Sequence, residues 1–207
     1  MPVNYKVNAS VVDIRRDSPR SDDVFMVDTN VWYWLTHGLA ASAQKTSFRR
    51  IRDYSSYIKI SRLVKSKLFR CGLSLAELSH LIEKTEREIF IRSNGNVTSK
   101  EYRHNDPSER NRVVSEIQAA WNQIEAMSET LDINIDDPVT KNAMNRLTTE
   151  PLDGYDLFVI EAISRNKATN KVITDDGDFA TVAGIEVFTA NNNVINAAKS
   201  QGRLITR

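Results

Sequence analysis

The sequence predicts an α/β protein of three layers, with a mostly parallel central sheet between helices and an additional helical insertion. Three observations predict it. Short apolar runs such as VFMV (residues 24–27) are continuous rather than alternating, as befits strands buried on both faces. Segments with apolar residues three and four apart separate these runs. The connections between successive strands are far too long for hairpins, which leaves parallel pairing through helical crossovers.

Residues 1–23 are polar and charged and read as an N-terminal arm, with residues 24–207 as one domain carrying a helical insertion at about 93–131. A strand over Val24 to Val27 feeds a helix near Val31 to Leu39, which Gly38 helps to end. A second helix is expected over residues 47–67, where Phe48, Ile51, Tyr54, Ile58 and Leu63 recur at near-helical spacing, with Phe48 and Tyr54 read as core. LFRCGL (68–73) reads as the second strand, with Cys71 packed inside it. The helix beyond is opened by Ser74 as N-cap, and Leu75, Leu78, Ile82 and Ile89 form its apolar stripe. Pro107 suits the first turn of a long helix running to about Leu131, and DINI (132–135) reads as a short third strand. Then follow a helix near Pro138 to Leu147, a helix from Tyr155 to Asn166, a strand from Lys171 to Thr174, an acidic turn with a short helix, a strand from Ile185 to Phe188 and a last helix from about Asn192.

The chain has 28 Lys and Arg against 27 Asp and Glu, a net charge of +1 that is unevenly spread. From Lys45 to Arg70 nine basic residues face one acidic, Asp53; from Glu125 to Glu161 nine acidic residues face Lys141 and Arg146. The basic stretch, with Arg49, Arg50 and Arg52 at its centre, is either a solvated helix face or a surface that neutralises phosphates. One cysteine excludes an internal disulfide and fits a reducing compartment, and no apolar run reaches the length of a membrane span, so a cytoplasmic protein is expected. His37, His80 and His104 lack zinc-type spacing, which leaves oxygen ligands for any metal.

In open parallel sheets, ligands bind beyond the carboxyl ends of the strands. Here the residues at those ends are acidic: Asp28 after the first strand, Glu77 in the first turn after the second, Asp156 opening the helix before the fourth, and Asp175, Asp176 and Asp178 after the fourth. Each also has a local reading as a helix cap; Ser74 and Glu77 match S-x-x-E, and Asp153 with Asp156 resembles the same box. Capping does not explain why all of them should meet on one rim. Two unit charges about 4 Å apart repel by about 4 kcal/mol at an effective dielectric of 20, so converging carboxylates call for a proton or a cation. Oxygen-only ligation selects Mg²⁺ or Mn²⁺, the equipment of metal-assisted phosphodiester hydrolysis.

Three segments together resemble the PIN domain family, metal-dependent ribonucleases that include VapC-type toxins: VFMVDTNVW, LSLAEL, and DGYDLFVIEAI followed by KVITDDGDF. The resemblance spans most of residues 24–190. It implies a PIN-like fold and an endoribonuclease that uses Mg²⁺ or Mn²⁺ to cut single-stranded or loop RNA. Asp28, Glu77, Asp156 and Asp176 would be the catalytic, metal-binding quartet, with Asp178 nearby, and Thr29, Asn30 and Thr174 would shape the substrate pocket. The partners it implies are RNA, an antitoxin protein and a second copy of the chain. About 20 residues around Glu109 to Leu131 exceed the compact family core. Two alternatives remain: an inactive PIN scaffold that binds RNA or protein, and a phosphotransfer fold with Asp28 as nucleophile. The second lacks the usual D-x-D, because Asn30 stands at its second position, and a GxxxxGK[ST] loop is also absent.

Overall fold

Among the described residues, seven strands form one sheet in the order β4-β3-β2-β5-β6-β1-β7, and every neighbouring pair is parallel. The computed structural model describes residues 3–40 and 48–207. The strands are β1 Ser10–Asp13, β2 Val24–Val27, β3 Lys67–Cys71, β4 Glu129–Leu131, β5 Lys171–Ile173, β6 Glu186–Thr189 and β7 Leu204–Ile205. The helices among the described residues are α1 Thr29–Thr36, α2 Phe48–Leu63, α3 Ser74–Asn94, α4 Ser99–Asn105, α5 Pro107–Met127, α6 Asp137–Thr149, α7 Gly154–Asn166 and α8 Asn192–Ser200. A 3₁₀ turn covers Asp178–Thr181. The expected α/β/α architecture with a parallel sheet is present, and among the described residues no helix is long and apolar enough to cross a membrane.

Strand alternation divides the core in two. Val12, Phe25, Val27, Ile173 and Phe188 face one side and pack under α1, α2, α3 and α5; Val11, Met26, Val172 and Val187 face the other, under α6, α7 and α8. α1 is apolar nearly all round, and Val31, Trp32, Tyr33 and Trp34 are all buried, because α2, α3 and α5 wrap it against the sheet. The insertion helix α5 docks through Ala120 and Ile124, and through an ion pair from Arg112 to Glu86, whose carboxylate is fully buried.

The strand order places a topological switch at the middle of the sheet. From β2 the chain steps outward to β3 and β4; from β5, on β2's other side, it steps the opposite way to β6. The crossovers therefore diverge above the carboxyl ends of β2 and β5, which opens a crevice there.

Several expectations need correction. Residues 10–13 of the stretch read as an arm form β1, a strand between β6 and β7, because SVVD is flanked by charge and too short to announce itself. The edge strand is ETL rather than DINI, its register set by pairing with β3, and the preceding helix stops at Met127 instead of Leu131. Ser74 lies inside α3; Leu73 holds the cap position without a side-chain bond, so the S-x-x-E box does not form. Phe48 is 75% exposed at the start of α2, whereas Tyr54 is buried. Lys45, one member of the basic stretch, lies outside the described residues.

Candidate active site

Asp28 follows β2 directly and its backbone N–H extends the ladder, donating to the Ile173 carbonyl at 3.0 Å. Its side chain is buried, 6% exposed, and makes no capping bond, although the Asn30 N–H lies near enough to favour the charged form. What holds it is Thr174, the residue after β5, whose hydroxyl donates to Asp28 Oδ2 at 2.6 Å. The same hydroxyl accepts from the Asp176 N–H at 2.8 Å, and Asp176 Oδ1 accepts from the Asp178 N–H at 2.9 Å. One chain of hydrogen bonds thus runs from the end of β2 through the whole acidic turn after β5.

Glu77 enters from the first turn of α3, where the Thr29 hydroxyl lies against its carboxylate. Asp156 enters from the first turn of α7 and is 6% exposed. Burial, then the charge of Glu77, pushes the Asp28 carboxyl well above the usual carboxylate range. Burial, then Asp28, raises Asp156 still further, with contributions from Asp153, Asp176 and Glu77. Burial also raises Glu77 and Asp176, and burial followed by the charge of Asp176 lifts Asp178 to about 6. Among the described residues no Lys, Arg or His is ion-paired with any of these five carboxylates. The expected quartet and Asp178 thus lie at the same end of the sheet, where each feels the charge of at least one other acid and none has a counter-charge among the described residues.

Asp175 is drawn off. Arg50 Nη1 pairs with its Oδ2 at 3.0 Å, and the Tyr54 hydroxyl lies 2.9 Å both from its Oδ1 and from the Thr174 carbonyl. Of the three crowded aspartates, Asp176 is the one wired to Asp28 and Asp175 is neutralised by α2. Arg50 is consequently engaged at the site's edge, while Arg49 and Arg52 are exposed on α2. Arg70 is taken out of the basic surface by Ser128 and by the ring of Trp121, 5.2 Å away.

Sequence reasoning misses two contributors. Asp153 does cap α7, accepting from the N–H groups of Tyr155 at 3.0 Å and Asp156 at 3.2 Å. Its charge also acts on Glu77, Asp156, Asp176 and Asp178, so it belongs to the acidic group as well. Its position three residues before Asp156 at a helix start is the signal that could have found it. Tyr5, in the supposed arm, walls the depression that contains Asp176, and burial, then Asp178, Asp176 and Asp175, raises its hydroxyl. No local pattern marks it.

The donor set fits a hard divalent cation in chemistry: oxygen only, negative, partly desolvated and without a counter-charge. Among the described residues no three His, Cys, Asp or Glu side chains are grouped closely enough to hold an ion as they stand. Mg²⁺ takes few protein carboxylates and keeps several waters, so a loose set suits it better than it suits zinc. No family model matches the chain, and no curated protein matches it.

Proposed function

We propose that this chain is a PIN-like metal-dependent endoribonuclease that hydrolyses phosphodiester bonds of single-stranded or loop RNA. The observation that carries the reading is the set of unneutralised carboxylates at the switch point of an all-parallel sheet, Asp28 and Asp156 buried and Glu77, Asp176 and Asp178 half-buried. A fold bears that repulsion for a ligand, since capping alone requires neither burial nor convergence.

Asp28, Glu77, Asp156 and Asp176 would hold Mg²⁺ or Mn²⁺, with Asp178 and Asp153 in support. When bound, the ion supplies charge to orient the scissile phosphate and acidity to a water. The chain's own residues do the rest. Thr174 fixes the rotamer of Asp28, and Arg50 with Tyr54 keeps Asp175 turned away, so that a fourth strand-end charge does not crowd the centre. Arg49 and Arg52, with Lys59 and Arg62 further along α2, offer exposed cations to the RNA backbone. An antitoxin and a second copy of the chain are the protein partners this reading brings with it.

A scaffold that binds RNA without cutting it is the second reading, favoured by the absence of a close three-residue group among the described residues. Incubating the full chain with mixed RNA in Mn²⁺ and in EDTA separates the two. Cleavage in Mn²⁺ that EDTA abolishes is the expected result; binding without cleavage overturns the nuclease in favour of the scaffold.

A further inference from the structure

We infer that the apolar depression at the start of α7, beside Asp153, stacks an unpaired purine of the bound strand on the ring of Tyr155, so that a base flanking the carboxylates must be free of any duplex. The inference rests on the nuclease reading and adds a base subsite to it.

The depression lies beyond the carboxyl ends of β3 and β4. Leu73 follows β3, Ile135 comes after β4, and Gly154, Tyr155 and Phe158 belong to the first turns of α7, with Asp153 at the edge. It encloses about 450 Å³, inside the range of roughly 300–1,000 Å³ typical of ligand sites and roomy enough for a two-ring base. Leu73 and Phe158 are half-buried and pack against the apolar core, which holds them in place. Tyr155 and Ile135 are 41% and 45% exposed. Among the described residues the Tyr155 ring pairs with no other aromatic ring, so its face is left for a ligand.

Its place along the rim tells what it receives. In the order β4-β3-β2-β5-β6, the depression follows β4 and β3, and Asp28 and Asp176 follow β2 and β5. α2 reaches the opposite flank, where Arg50 pairs with Asp175 and the Tyr54 hydroxyl lies 2.9 Å from that of Thr189 at the end of β6. The carboxylates thus stand between the cations of α2 and the apolar depression. A strand with phosphates on α2 and its scissile phosphate at the carboxylates arrives next at Tyr155. Asp153 is exposed, and its charge keeps a phosphate out. What enters is the neutral, flat part of the nucleotide, which stacks on Tyr155 and meets the aliphatic side chains of Leu73 and Ile135. Purines offer the larger face, and stacking strength sets the preference. A base inside a duplex has its faces covered, so the base received here is unpaired.

The test measures binding of pentaadenylate and pentauridylate to the full chain, with Ca²⁺ in place of Mg²⁺. Wild type should bind the adenosine pentamer about threefold or more tightly, and Tyr155→Ala should weaken it by about tenfold and erase the difference, with little change in melting temperature. Tyr155→Phe, which keeps the ring, should keep most of the affinity. Gly154→Leu tests the space instead of the ring: an added Cβ there meets no atom within 4 Å, so the variant should fold and lose affinity by filling the depression. A pentamer carrying 2-aminopurine should lose fluorescence on wild type, through stacking, and keep it on Tyr155→Ala. A Tyr155→Ala protein that binds and quenches like wild type overturns the inference, as does equal binding of the two pentamers by wild type. A Tyr155→Ala protein that keeps its RNA affinity but turns from dimer to monomer also overturns it, and assigns the face to a second copy of the chain. Wild-type protein that fails to cut mixed RNA in Mn²⁺ sinks the underlying nuclease reading instead, a result distinct from loss of base stacking.

Discussion

The Thr174 hydroxyl, buried and 2.6 Å from Asp28 Oδ2, ties together the carboxyl ends of two neighbouring strands whose residues are 146 apart in sequence. Because that hydroxyl also accepts from the Asp176 N–H, it fixes two members of the quartet at once. Thr174→Val keeps the shape and deletes both bonds. It should cost about 1–3 kcal/mol of stability through the unsatisfied buried groups and lower RNA cleavage by about 10–100-fold, the usual loss when the support of a ligand is removed. Thermal melts and initial cleavage rates check it; wild-type rates would mean Asp28 needs no such support.

Asp28→Asn separates chemistry from folding. An amide accepts from Thr174 as a carboxylate does, but it is a poor ligand for Mg²⁺. Cleavage should fall by roughly a hundredfold or more, while the melting temperature in EDTA stays equal or rises, because a buried charge beside Glu77 has gone. Full activity in this variant would remove Asp28 from the site.

The acidic group also sets a dependence of stability on pH. Burial and mutual repulsion raise Asp28, Asp156 and Asp178, the last to about 6, so the native state holds protons that the unfolded chain has released. Stability from these groups is complete below their unfolded value of about 3.8 and is lost as pH rises through 6 and beyond. Asp23 works in the opposite direction. Burial alone would raise it, but Arg207 and Lys171 overcome that and hold it at about 2, so its contribution is lost only as pH falls from 3.8 toward 2. In EDTA the melting temperature should therefore be higher near pH 5 than near pH 8, and millimolar Mn²⁺ should recover the loss at pH 8. A flat profile with no response to Mn²⁺ would mean that these carboxylates neither repel one another nor hold an ion.

The cations of α2 divide into two kinds. Arg49→Glu and Arg52→Glu should weaken RNA binding and reduce its salt slope by about one for each phosphate no longer neutralised. Arg50→Ala should act mainly on the site, since it strips Asp175 of its ion pair at 3.0 Å. Titrations at several salt concentrations read the difference; identical slopes for all three would show a solvated face.

Arg112→Ala tests how the insertion helix is seated. It leaves the fully buried Glu86 with only the His37 imidazole, 3.4 Å away, and because Arg112 is itself partly exposed the loss should be about 1–3 kcal/mol, below that of a fully buried pair. Urea unfolding should register that loss, and a shift below about 1 kcal/mol would mean that apolar packing alone seats α5.

The local sequence determined much of this protein. Apolar runs located β2, β3, β5 and β6, and the carboxylates at their ends follow, because a strand end and the first turn of a helix are set by nearby residues. Tertiary structure decided the rest. β1 and β4 are short and carry polar residues, so only pairing with β6 and β3 makes them strands. The placement of β2 beside β5, which creates the switch point, is a choice among strand orders that no local pattern encodes. The roles of the individual acids were likewise undecided until the chain closed. Asp175 is neutralised by residues more than 100 positions away in α2, Asp153 joins the group while capping α7, and Tyr5 reaches the acidic turn only because β1 and Gln201 carry it there. Whether a carboxylate is paired, buried or exposed to its own kind depends on distances between remote segments, and those exist only in the folded chain.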